Sequence, residues 1–81
     1  MSERERAWGG LMAAAQDGDS VAYEALLREI VPALRVFVGA RLRESTASED
    51  VVQNVLLSLH RARHTYQPAR PFGPWLRAIA R

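Results

Sequence analysis

The 81-residue chain has no cysteine and no lysine. Without cysteine, neither a disulfide nor a thiolate metal site can supplement the core. A chain this short buries only roughly 60% of its unfolded surface, so its core must be efficient. No apolar run approaches the length of a membrane span, and the N-terminus MSERERAW lacks the apolar stretch of a signal peptide. A cytoplasmic, soluble, single domain is expected. No alternating apolar pattern, internal repeat or low-complexity tract is present, so strands are not expected.

Acidic residues stop at Asp50. Residues 1–50 hold six Arg and nine acids, whereas residues 51–81 hold five Arg, two His and no acid, within a net charge of +2. An acid-free basic half with aromatic residues points to an anionic partner, most simply nucleic acid. Arginine can fork onto phosphates and stack on bases as lysine cannot. Arg-only usage is equally the signature of a GC-rich genome.

Apolar spacing follows a helical period throughout and predicts an all-α, compact bundle of about four helices. Trp8, Leu11, Met12 and Ala15 predict a short helix over 8–16, weakened at its start by Gly9 and Gly10 and ended by Asp17-Gly18. The charged SERER segment before it is expected to fray. Asp19 or Ser20 caps a kinked helix pair over 20–43, with the kink or a new start at Pro32 and Arg43 near the last turn. A long helix follows over 46–64, with Thr46 as N-cap and Glu49 completing a capping box. Its inner stripe is Val51, Val52, Val55, Leu56, Leu59 and Ala62. Its other side gathers Asp50, Gln53, Asn54, Leu57, Arg61 and His64. That side is either a solvated face with one stray leucine or a docking surface with an apolar anchor in a polar rim.

Residues 65–73 form a loop rich in proline, carrying Tyr66, Arg70 and Phe72. Its aromatics either hold an unstacked base while arginine contacts phosphate, or plug the core beneath the loop. Residues 74–81 start a further helix at Pro74, with Trp75, Leu76, Ile79 and Ala80 inward. The pattern runs to Arg81 without a stop signal, so a longer chain is expected. No nucleophile with a base, no paired carboxylates and no phosphate-cradling glycine loop occur. His60 and His64 have metal-pair spacing but no third ligand nearby in sequence. A binding domain is expected, not an enzyme, with no cofactor and no metal.

Several of these stretches occur in a familiar order. DVVQNVLL from Asp50 to Leu57, LHRAR from Leu59, YQPAR from Tyr66 and FGPWLRAIAR from Phe72, with Gly18-Asp19 and Tyr23-Glu24-Ala25-Leu26 upstream, resemble region 2 of bacterial extracytoplasmic-function (ECF) sigma factors. The resemblance spans residues 11–81. It implies a transcription initiation domain whose long helix docks on the β′ clamp helices of RNA polymerase through Asp50, Gln53, Asn54, Leu57 and Arg61. It also implies that the loop from Tyr66 to Phe72, including Arg70, captures a flipped base of the −10 promoter element. The helix from Pro74 would line the single strand, with Arg77 and Arg81 towards phosphates. Asn54 departs from the family's usual Glu, and Leu56 from a common aromatic. Ala78 and Ile79 stand where primary sigma factors carry a tryptophan pair, which implies capture of an easily opened promoter. The family's −35-reading domain is not in the sequence. The alternative function is a protein-interaction module held by an anti-sigma factor over the clamp-binding face; a generic helical duplex-DNA-binding domain comes third.

Overall fold

The computed structural model describes residues 2–39 and 45–80, without the side chains of residues 45–47. Four helices form: α1 Glu3–Gln16, α2 Ser20–Gly39, α3 Ser45–Ala62 and α4 Phe72–Ile79, with a 3₁₀ turn Arg63–Thr65 after α3. No strand occurs among the described residues. α1 packs on α2 and α4, and α3 packs on the same two helices. The core joins Trp8 and Met12 of α1, Leu26, Ile30, Leu34 and Val38 of α2, Val52, Val55 and Leu59 of α3, and Leu76 of α4, with Tyr66 and Phe72.

α1 begins at Glu3, five residues before the expected start, and the SERER segment is helical. Ser2 explains the difference: its hydroxyl accepts from the Glu5 amide at 3.1 Å, while Glu3 and Glu5 place negative charge on the positive end of the helix dipole. Arg4 adds a cation–π contact, its guanidinium 4.6 Å from the Trp8 ring centre. The helix ends at Gln16, and Gly18 just beyond it has a φ of 97°, which suits glycine. The Asp19 amide donates to the Ala14 carbonyl and the Gly18 amide to that of Ala15, both at 3.0 Å, which is a Schellman closure. Asp19 also starts the next helix, its carboxylate accepting from the Ala22 amide at 3.0 Å.

No new helix starts at Pro32, one of the two expected outcomes there: a single helix runs Ser20–Gly39 with Pro32 inside it. Ala22, Leu26, Ile30, Leu34 and Val38 are buried at every fourth position on both sides of the proline. Pro32 itself is exposed, so water can serve the Arg28 carbonyl that loses its helical partner. Packing and placement together override the breaker. Arg41, Arg43 and the connection before α3 lie outside the described residues.

α3 starts at Ser45, which puts Thr46 inside the first turn instead of at the cap; the Thr46 side chain lies outside the described residues. Glu49, expected in a capping box, pairs with Arg35 of α2 at 3.0 Å. Both side chains are about half exposed, and such pairs contribute little, about 0–1 kcal/mol. α4 begins at Phe72, two residues before the expected start. Pro74 is then its third residue, where a helix still leaves amides unpaired and a proline costs no hydrogen bond.

Gly9 and Gly10 stand next to each other in α1 in opposite surroundings. A methyl on Gly10 would meet nothing within 4 Å, whereas one on Gly9 would lie 2.7 Å from the Tyr66 hydroxyl. Gly10→Ala is expected to stabilise the domain by about 0.5–1 kcal/mol in urea unfolding. Gly9→Ala should lose that gain and destabilise by about 1 kcal/mol, the cost of displacing a packed ring. Pairing Gly9→Ala with Tyr66→Phe should recover part of the loss. Equal gains from the two alanines would show that the tyrosine does not pack as described.

Candidate functional site

Two surfaces carry the residues singled out in the sequence. The first is the outer face of α3. Asp50, Gln53, Asn54, Leu57 and Arg61 are all exposed, while Val52, Val55 and Leu59 on the same helix are buried. The spacing of the five residues puts them on one side of the helix. Leu57 is 53% exposed. None of the five makes a side-chain hydrogen bond or ion pair with another described residue. An apolar side chain ringed by uncommitted acid, amide and guanidinium groups can desolvate against a partner while its rim supplies hydrogen bonds.

The second surface surrounds the proline-rich loop, and here the expected roles change. Tyr66 and Phe72 are 4% and 0% exposed, so neither ring is open to a base. They plug the core instead. Their centroids lie 5.1 Å apart in a T-shaped contact, and Phe72 also meets Trp8 at 6.1 Å edge to face. Such aromatic pairs add about 0.5–1.5 kcal/mol beyond area burial, which favours the rings turning inward beneath the loop. The Tyr66 hydroxyl donates to the Arg70 carbonyl at 2.7 Å. Burial raises its pKa further above the ordinary phenol value.

The loop surface retains an open cavity of about 400 Å³. The 3₁₀ turn contributes Thr65, the loop Tyr66, Gln67, Arg70 and Pro71, and α4 Pro74 and Trp75. Trp75, expected inward, is only half-buried: it contacts Tyr66 and Phe72, and it lines this cavity. Its indole N–H donates to Thr65 Oγ1 at 3.1 Å, and that hydroxyl donates to the Ala62 carbonyl at 2.7 Å. An aromatic ring beside a guanidinium in a cavity of this size suits a stacked, partly desolvated base. Arg70 is exposed, and its side chain makes no hydrogen bond or ion pair with another described residue. Arg77 is exposed on α4, and Arg81 lies outside the described residues.

Gln16 holds the loop in place, and nothing in the sequence pointed to it. Its side-chain amide donates to the Arg63 carbonyl at 2.9 Å and to the Tyr66 carbonyl at 2.8 Å. As the last residue of α1 it resembles any polar helix end; its partners lie 47 and 50 residues away. His60 is not a bare surface group either: its Nδ1 lies 2.8 Å from the Tyr23 hydroxyl, tying α3 to α2. Burial raises the Tyr23 pKa, partly offset by the Arg63 charge. Among the described residues no three His, Asp or Glu side chains converge as a metal site would need, and no helix is long and apolar enough to cross a membrane.

Comparison with known proteins bears on both surfaces. The sequence pattern of sigma-70 region 2 matches residues 23–81, which takes in most of α2 and everything after it. The chain is 35% identical over 65 residues to the RNA polymerase sigma factor CarQ of Myxococcus xanthus, covering 80% of this chain and 37% of that protein. It is 34% identical over 82 aligned positions to the ECF RNA polymerase sigma factor SigF of Caulobacter vibrioides, covering 100% of this chain and 46% of that protein. The chain thus spans less than half the length of either relative. No solved structure matches it. With region 2 matched across both surfaces and an ECF sigma factor aligned along the whole chain, the protein belongs to the sigma-70 region 2 family, on its ECF branch.

Proposed function

We propose that this domain acts in transcription initiation, binding the β′ clamp helices of core RNA polymerase through α3 and holding the −10 promoter element as single strand at the loop cavity. The observation that carries the reading is Leu57, half exposed among Asp50, Gln53, Asn54 and Arg61, on a helix whose opposite side is fully committed to the core. A large apolar side chain at the centre of an uncommitted polar rim is the pattern of a binding hot spot. The function is one of binding, without catalysis, in the cytoplasm. An anti-sigma factor would find the same leucine, so polymerase and anti-sigma are expected to compete for α3.

The DNA half of the proposal rests on Arg70 and Trp75, with Arg77 and Arg81 as phosphate contacts. Trp75 takes the stacking role first given to Tyr66 and Phe72. No carboxylate lines the cavity itself, although Glu5 borders the neighbouring pocket that Tyr66 and Arg70 also line.

Leu57→Arg or Asp50→Arg is expected to abolish retention of the domain by an immobilised β′ clamp-helix fragment, with the far-UV helical signal unchanged. Retention at wild-type level would remove the polymerase reading. A fluorescein-labelled single-stranded −10 oligonucleotide should bind, more weakly as salt is raised. It should also quench the indole emission, and Trp75→Phe should abolish that quenching. Arg70→Ala should weaken binding roughly tenfold, the scale of one lost base or phosphate contact. Tighter binding to the matching duplex than to the single strand would favour a generic duplex binder.

A further inference from the structure

The polar groups around the loop cavity are unequally committed. The carbonyls of Tyr66, Gln67 and Arg70 already accept bonds from Gln16, the Arg70 amide and the Tyr66 hydroxyl. The Thr65 hydroxyl has spent its proton on Ala62 and accepts from Trp75. The strong groups left over are the Arg70 guanidinium and the Gln67 side-chain amide, neither of which has a partner among the described residues. No carboxylate lines the cavity. The one charged group left without a partner there, the Arg70 guanidinium, is a donor only.

We infer that the cavity selects the captured base by its acceptors and prefers guanine or cytosine to adenine or thymine. This rests on the proposal that a single-stranded base enters the cavity at all. A guanidinium presents two parallel N–H donors and needs two adjacent acceptors to use both. Guanine offers O6 and N7, and an unpaired cytosine offers O2 and N3. Adenine places its N6 amino group beside N1 or N7, so one donor of the fork meets another donor. Thymine has N3–H between its two carbonyl oxygens and can take only one bond of the pair. Gln67 has the opposite leaning, since an amide pairs with adenine N6 and N7. The two side chains therefore compete, and magnitude decides: a charge-assisted bond is roughly twice as strong as a neutral one. Arg70 controls the choice.

The test uses the 81-residue chain and labelled strands in which a single A, C, G or T stands among abasic sites, so that only one base can be read. Affinity is measured by anisotropy at low salt. Strands bearing G or C are expected to bind about tenfold tighter than those bearing A or T. Arg70→Lys keeps the charge and loses the fork, so overall affinity should stay within about twofold to threefold while the four strands become nearly equal. Equal binding of all four strands by the wild type would overturn this inference and leave single-strand capture standing. A preference for adenine would assign the choice to Gln67 and overturn it as well, as would a G or C preference that survives Arg70→Lys. If no −10 strand binds even at low salt, single-strand capture itself fails, and the inference fails with it.

Discussion

The amide of Gln16 is the contact on which the second half of the domain depends. A loop with prolines at 68 and 71 is short of backbone N–H groups and cannot bond to itself as a helix or hairpin would. Its carbonyls still need donors where they are removed from water. Gln16 supplies two from one side-chain nitrogen, at the point where α3 unwinds through its 3₁₀ turn into the loop. Tyr66 supplies a third, to Arg70, and can reach it only because Gly9 leaves room for its hydroxyl beside α1. With three carbonyls bonded and two rings locked into the core, Arg70 and Gln67 are displayed from a rigid base. Preorganisation of that kind lowers the entropy a ligand must pay to order its site.

Periodicity revealed the helices and missed the fine structure of their ends. The inner stripe of α3 came directly from apolar spacing, because a face packed on two neighbours must be continuous. The start of α1 did not, because a single serine hydroxyl outweighs an apparently frayed, charged segment and gives no periodic signal. Pro32 misled for a related reason. Propensity puts a proline's cost near ~3 kcal/mol in a helix interior, but a buried stripe that continues on both sides of it recovers more than that through packing. Leu26, Ile30, Leu34 and Val38 alone bury four large side chains, each contributing about 1.5–3 kcal/mol.

The α3 face and the loop differ in how much of each the sequence disclosed. Leu57 among polar neighbours is a local pattern, so the residues that define the surface are adjacent on one helix. The loop cavity is lined by residues between 65 and 75, as close in sequence as the α3 face, but burial reassigns its aromatics: Tyr66 and Phe72 go inward, and Trp75 comes partly out. Composition cannot separate these fates, because all three rings sit within ten residues and are equally apolar. What separates them is the space beside Gly9 and the hydroxyl's need for a partner. Tyr66 satisfies both by reaching Arg70, and that leaves Trp75 beside the opening.

The region 2 match begins at residue 23 and so omits α1 altogether. Yet α1 supplies Gln16, Gly9, Trp8 and Met12, the groups that hold the loop carbonyls, admit Tyr66 and back Phe72. The position of the loop that carries Arg70 is therefore set by residues more than fifty positions upstream. A change at either end of α1 can alter the cavity without touching a residue that lines it. The contacts to Gln16 are backbone carbonyls, so loop side chains can vary while the anchor persists. That separation lets the side chains of Gln67 and Arg70 change while the loop stays in place.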